Sequence, residues 1–391
     1  MKTLSKQAIQ QDIEELQKKL EEINPNPYKY ISRKDFTSLL MKETRSVNNV
    51  QDLGIAIMTI LANLNDGHTY LNPSYEVFGT NSFMFKFRFL NDGYYLIKSS
   101  ETLSDYLGSK LVGINNHTIN DIETSFSTLI AKENETSLRY YLPSKLMEPV
   151  ILESLNIKKD KSIKLQLEKD ERQLSIDIEP EDCKNKMVSI FEKIPNIVNT
   201  LTVQDAYWFE EMANLNAFYF QFNECFGKED LTINEVVEAL ERSNLSNLII
   251  DLRNNTGGDS NVLNPLKRFL KKYKKKYKVI VLTGADTYSS AIINLLELSN
   301  LPNTISVGEV PHGNPTHYGE VESFILPNSQ LKIFTSSKIF KFKGYKLGET
   351  FKPTYIVLTR IQDLIHGKDT QMEYLSKIVC LGESVSIASC S

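Results

Sequence analysis

The chain has 391 residues, enough for two or three domains, and its 41% hydrophobic and 24% charged residues are the balance of an ordinary globular protein. Lys and Arg total 45 against 49 Asp and Glu, so a formal net charge of −4 gives no general reason to expect a nucleic-acid partner. The four cysteines, Cys183, Cys225, Cys380 and Cys390, lie far apart without a Cys-x-x-Cys pair, which argues against a zinc site and a disulfide framework and suits a reducing compartment.

Residues 1–20 alternate charge with Leu and Ile at helical spacing and lack the apolar core of a signal peptide. The pattern predicts an amphipathic helix over 5–24, ending before Asn24-Pro25-Asn26-Pro27, and further helices over 33–44 and 50–64. The last is apolar on most faces (Leu53, Ile55, Ile57, Met58, Ile60, Leu61) and is expected to be buried. Its apolar run, Leu53 to Leu64, is about half the length of a membrane span, so a cytoplasmic protein without a membrane partner is expected. The helix ends at Asn65-Asp66-Gly67-His68-Thr69-Tyr70. A histidine at that point can cap the last carbonyls, or it can do chemistry.

Residues 79–187 alternate as strands do, with segments over 83–89, 94–98, 162–167 and 173–178. Between them, 111–119 reads strand, tight turn, strand, followed by a helix over 121–131, and His117 is read as a turn residue. A strand is expected within 205–227 and crossover helices over 234–242 and 261–278. The second contains the basic run Lys271-Lys272-Tyr273-Lys274-Lys275-Lys276, read as a solvated helix face. The alternation from 205 to 380 predicts an α/β layer with parallel strands.

Two stretches in this half carry the chemistry. The run Asn247 to Arg253 is a short apolar strand ending in charge, and Asn254-Asn255-Thr256-Gly257-Gly258 follows it. Adjacent glycines there allow unusual φ and a close backbone approach. Lys278 to Leu282 is the next buried strand, running through Thr283-Gly284-Ala285-Asp286-Thr287-Tyr288-Ser289-Ser290-Ala291 into an apolar helix over 292–298. A serine there can be a simple N-cap. It can also be a nucleophile, because the N–H groups of a helix start favour a developing oxyanion.

The run Asp251-Leu252-Arg253-Asn254-Asn255-Thr256-Gly257-Gly258 resembles the DLRxNxGG signature of the C-terminal processing and tricorn-type serine peptidases, whose fold the interphotoreceptor retinoid-binding proteins share. Thr287-Tyr288-Ser289-Ser290-Ala291 resembles the nucleophile turn of that family, and Asp66-Gly67-His68-Thr69 resembles the run that carries the catalytic histidine in the tricorn-type branch. Gly308-Glu309, Tyr318-Gly319-Glu320 with Leu326-Pro327-Asn328-Ser329, and Gly367-Lys368-Asp369 also match, so the likeness spans about residues 50 to 375. The strand-turn-strand over 111–119 with its following helix resembles the core of a PDZ domain, which can help recruit substrate by strand addition.

The resemblance implies a crotonase-like ββα catalytic domain over 188–391, a PDZ-like β-rich domain over 79–187 and an N-terminal helical domain over 1–78 that carries the histidine. The processing branch activates its serine with a lysine, and this chain has Asn314 at that place, which points to the Ser-His-Glu solution. Ser290 is thus expected as nucleophile and His68 as general base, with His312 and His317 as alternative bases. Glu349, a few residues before Pro353, is expected as the orienting acid, with Glu309 and Glu320 as rivals. Gly257 or Gly258, with Ala291, is expected to form the oxyanion hole, and no metal or cofactor is required. The expected function is hydrolysis of an intracellular peptide or protein, by a chain compatible with homo-oligomers. The alternative is a non-catalytic peptide- or ligand-binding protein on the same fold.

Overall fold

The computed structural model describes residues 2–72, 75–194 and 197–381; Cys390 and the side chain of Cys380 lie outside the described residues. The chain divides into two compact units, Met1–Ile190 with Thr316–Glu349 and Phe191–Pro315 with Thr350–Ser391.

The first unit opens on helices Lys6–Ile23, Arg33–Thr44 and Val50–Ala62, started by Ser5, Ser32 and Asn49, whose side chains accept from the amides of Ala8, Asp35 and Asp52. Ile9, Ile13, Leu16 and Leu20 recur at helical spacing and are buried, as are Leu53, Ile57, Ile60 and Leu61 of the third helix. Asn65, at φ 46°, turns the chain after this helix in the left-handed conformation that asparagine tolerates best among the larger residues. The next strand, Tyr70–Leu71, pairs antiparallel with Lys332–Phe340, which in turn pairs with His317–Ile325. At the tip of that hairpin, the buried Asp12 carboxylate of the first helix accepts from the backbone amides of Asn328 and Ser329, both at 2.8 Å. These bonds explain a departure from the expected boundaries: residues 316–349 lie in the first unit, not with the rest of 188–391.

The same unit holds a seven-stranded antiparallel sheet in which Val188–Ser189, Tyr94–Ser99, Lys110–Ile114, Ile163–Lys169 and Arg172–Ile178 are neighbours in that order. Alternate residues Ile163, Leu165 and Leu167 point inward and are buried, the period-two pattern seen in the sequence. Two further helices, Glu135–Lys145 and Pro149–Ser154, fill the stretch between the expected helix over 121–131 and the strand over 162–167, where no element was expected. Pro143 inside the first of them masked its pattern, although Asn134 caps it and Leu138 and Leu142 bury one face.

The second unit is an α/β layer. Its six-stranded sheet runs Tyr207–Met212, Ala217–Phe222, Asn247–Asp251, Lys278–Thr283, Thr304–Gly308, Tyr355–Ile356. The first pair is antiparallel, so the single strand expected in 205–227 is two, turned at Asn216 with φ 45°. All other pairs are parallel, with Ile249 opposite Tyr219 and Ile280. Helices Ile233–Ser243, Asn264–Lys272 and Ser290–Ser299 connect the parallel strands, as crossovers must. Tyr219, Ile249, Ile280, Leu282 and Val307 form a core with Leu375 of the last helix. No helix among the described residues is long and apolar enough to cross a membrane.

The Asp-Leu-Arg run has a structural task in this unit. Arg253 donates to Asp251 at 2.6 Å, to Asp369 at 2.8 Å and to the Thr200 carbonyl at 3.1 Å. Tyr219 adds a 2.6 Å bond to Asp251. Three ionised groups are thus buried together. Removing the cation strands two carboxylates in low dielectric, a loss of about 3–5 kcal/mol. Arg253→Met should lower the unfolding free energy of this unit, measured by denaturant titration, by that amount and shift its midpoint down, whereas Arg242→Met, whose exposed pair with Glu238 spans 3.9 Å, should leave the midpoint unchanged. Equal midpoints for the two variants would contradict the account.

Candidate active site

In the second unit the glycine turn and the serine turn are built against each other. The Asn255 side chain donates to the Phe222 carbonyl at 2.8 Å and accepts from the Gly257 amide at 2.9 Å. Gly257 and Gly258 have φ of 114° and 127°. A Cβ on Gly257 would stand 2.9 Å from the Ser289 Cβ, and one on Gly258 would stand 2.6 Å from the Cys225 carbonyl oxygen, so only glycine fits either place. Thr287 donates its hydroxyl to the Leu252 carbonyl at 2.8 Å, and the Tyr288 amide donates to the Asn255 carbonyl at 3.0 Å.

These bonds deliver Ser289 at φ 52° and ψ −120°, immediately before helix Ser290–Ser299. This is outside the regions open to ordinary L-residues, a strain of about 1–3 kcal/mol that persists only where the surroundings impose it. The Ser290 hydroxyl donates to the Gly258 carbonyl at 2.5 Å. The Ala291 amide donates to the Tyr288 carbonyl at 3.0 Å. Of the amides here, those of Gly258 and Ser290 donate to no acceptor among the described residues. Of the oxyanion donors expected from sequence, Gly257 and Ala291 thus already have partners while Gly258 does not, and the Ser290 amide was not considered from sequence.

Two neighbours fix the serine turn from the side. His312 is buried, stacks on Tyr288 with ring centroids 4.1 Å apart, and shares its Nδ1 with the Ala285 carbonyl at 2.5 Å. Glu309 accepts from the Ala285 amide at 3.3 Å and from the Thr359 hydroxyl at 2.7 Å, so its carboxylate ties two backbone segments together. Asn314, at the place of the missing lysine, accepts from the Thr350 hydroxyl at 3.2 Å. Burial pushes the Cys225 thiol up to about 12, which leaves it no thiolate for nucleophilic work.

In the first unit His68 is buried at the end of the third helix. Its amide donates to Asp66 Oδ1 at 3.1 Å, and its ring stacks on His317 with centroids 5.8 Å apart. His68 Nδ1 lies 3.9 Å from Glu133 Oε1, which also accepts from the Gly67 amide at 3.2 Å. Asp66 accepts from Thr69 at 2.8 Å, Ser336 at 3.0 Å and Asn24 at 3.2 Å. Lys29, 3% exposed, sits 3.7 Å from Asp66 Oδ2 and 3.5 Å from the centroid of the Tyr318 ring, and burial lowers its pKa. Asp66, His68 and Glu133 offer donors within 4.8 Å of one another, a spacing a metal could use, but the Lys29 ammonium beside Asp66 repels a divalent cation.

Glu349, also in this unit, is exposed and accepts from the Lys346 amide of its own turn at 2.7 Å. Glu320 is exposed and pairs with Lys338 at 3.1 Å. The carboxylates that stand by His68 here are thus Asp66 and Glu133. Sequence reasoning missed Glu133 because it lies in an unpatterned stretch between predicted elements, with no spacing to mark it.

The His312 environment has a measurable consequence. Burial lowers its pKa from 6.5 to about 4, so between those values the unfolded chain binds more protons than the folded one. The associated stability is complete above pH 6.5 and lost as pH falls toward 4, by at most roughly 3 kcal/mol. Denaturation followed across that window should show a loss that is absent in His312→Gln. An identical acid limb in both proteins would show that His312 does not drive it.

No protein-family model and no curated protein matches the sequence. Solved structures do match. Mature CPAF, complexed with lactacystin, aligns with a TM-score of 0.67 at 13% identity over 96% of this chain and 98% of that chain. A putative peptidase from Parabacteroides merdae aligns with a TM-score of 0.54 at 14% identity over 97% of this chain and 99% of that one. Identities this low speak to the fold alone. The chain has the α/β fold of mature CPAF and of the Parabacteroides peptidase.

Proposed function

We propose that this chain is a serine peptidase that hydrolyses a peptide or protein substrate. The observation that carries the reading is the strained serine turn packed on the Gly257-Gly258 turn, with the amides of Gly258 and Ser290 lacking acceptors among the described residues. Two such donors are what a tetrahedral intermediate needs, each worth roughly 3 kcal/mol in the transition state. One of the solved structures that share this fold is named a putative peptidase, which suits the reading.

In the reaction the serine oxygen forms a bond to the scissile carbonyl carbon while its proton passes to His68. The carbonyl electron pair moves to oxygen, where the two amides hold it. Collapse breaks the carbon–nitrogen bond, and the His68 proton leaves with the amine. Water then repeats the sequence on the acyl-enzyme and restores the serine. Glu349 is the acid expected from sequence to orient His68; that residue is exposed and bonded within its own turn.

The sequence assigns the attack to Ser290. Two observations favour its neighbour. The Ser290 hydroxyl is engaged by the Gly258 carbonyl, and Ser289 holds the strained φ of 52° that lifts a residue out of a strand-to-helix turn. With Ser289 attacking, the Ser290 amide follows the nucleophile directly, the usual place for one oxyanion donor.

A fluorophosphonate probe decides between them. We expect labelling of the unmodified protein, loss of it in Ser289→Ala and its retention in Ser290→Ala; the reverse pattern returns the role to Ser290. No labelling of the unmodified protein, with peptide still bound, would replace the peptidase by a binding protein. His68→Ala should reduce turnover by about 10^3-fold or more with little change in substrate affinity. Unchanged turnover in that variant would remove His68 from the reaction.

A further inference from the structure

We propose that Glu133 is the positioning residue of the His68 imidazole: its carboxylate faces Nδ1, holds the proton on that nitrogen and leaves Nε2 as the base. The role as a base rests on the peptidase reading above; the placement of the carboxylate does not.

The geometry is specific. Glu133 Oε1 lies 3.9 Å from Nδ1, with both side chains 7% exposed. The same oxygen accepts from the Gly67 amide at 3.2 Å, so the carboxylate is anchored to the residue just before the histidine. At 3.9 Å the contact is one of charge, not a hydrogen bond. A buried anion at that distance favours the protonated ring and an N–H on the nearer nitrogen.

The other ionisable groups around the ring do not compete for this task. Asp66 directs its oxygens to the His68 amide and to the hydroxyls of Thr69 and Ser336. Lys29 stands on Asp66 at 3.7 Å, and the field of Glu133 supports its charge as well. His317 meets His68 face to face rather than through a ring nitrogen's edge. Tyr318 carries Lys29 over its ring, and Tyr30 lies within the field of Glu133. Glu349, the acid expected from sequence, is exposed and bonded to the Lys346 amide within its own turn. The chain has five histidines, so one ring can be followed among few signals.

The test is imidazole NMR on the full chain, with the His68 signal identified by its loss in His68→Ala. Glu133→Gln should lower the His68 pKa by about one unit, because the anion that favours imidazolium is gone. Glu349→Gln should leave it in place, and Glu133→Asp, which keeps the charge, should restore most of the shift. In the peptidase assay Glu133→Gln should lower kcat by roughly 10- to 100-fold with KM little changed, and its acid limb should move to lower pH by the NMR shift. A merely structural glutamate would not move that limb. An unchanged His68 pKa in Glu133→Gln, or an equal shift in Glu349→Gln, overturns the proposal. If Glu133→Gln does not fold, Glu133→Ser is read in the same way. A protein that shows the NMR shift but cleaves no peptide would overturn the peptidase reading and uphold the placement of Glu133.

Discussion

The candidate site depends on how closely two turns of one sheet can approach. Strands Asn247–Asp251 and Lys278–Thr283 are parallel neighbours, so both release their chains at the same edge of the sheet. The turn that follows the first must pass under the turn that follows the second. Gly257 and Gly258 make that passage sterically open, while Thr287 and Tyr288 close it with bonds to Leu252 and Asn255. The backbone bonds hold Ser289 in a conformation it would not choose, and the serine helix begins where the constraint ends.

Behind this edge the unit is stiffened by polar groups that have been made to satisfy one another. Lys267, 5% exposed, pairs with Glu297 and donates to Asn294 at 2.9 Å, both on the serine helix. Asn294 reaches the Cys225 sulfur at 3.5 Å, and that thiol reaches Asn255 at 3.4 Å. Asn255 then holds the Gly257 amide. A continuous hydrogen-bonded path thus joins the helix that carries one turn to the loop that forms the other. Satisfied buried networks of this kind fix a single arrangement more strictly than apolar contacts do.

What the sequence made legible follows from how local each signal is. The helices over 33–44 and 50–64 announce themselves through caps and apolar spacing, which neighbours cannot hide. The α/β layer is legible because buried parallel strands are nearly continuous apolar runs. Motif turns are legible too, because glycine and serine are required there by backbone geometry. Three features escaped. Residues 316–349 join the first unit through a β-hairpin and the Asp12 contacts, pairings whose partners are some 300 residues away. Glu133 has no motif around it. The choice between Ser289 and Ser290 depends on a dihedral angle and one hydroxyl bond, neither of which leaves a trace in residue order.

The discontinuity of the first unit bears on how the chain is made. Strand Tyr70–Leu71 has Lys332–Phe340 as its sheet partner, and Asp12 accepts from the backbone amides of Asn328 and Ser329. A ribosome releases the chain from its N-terminus. Until more than 300 residues have been synthesised, the Asp12 carboxylate and the edge of strand Tyr70–Leu71 must therefore wait for these partners. The second unit's parallel strands are nearly complete by then, so the part of the protein that begins first is the part that can finish only late.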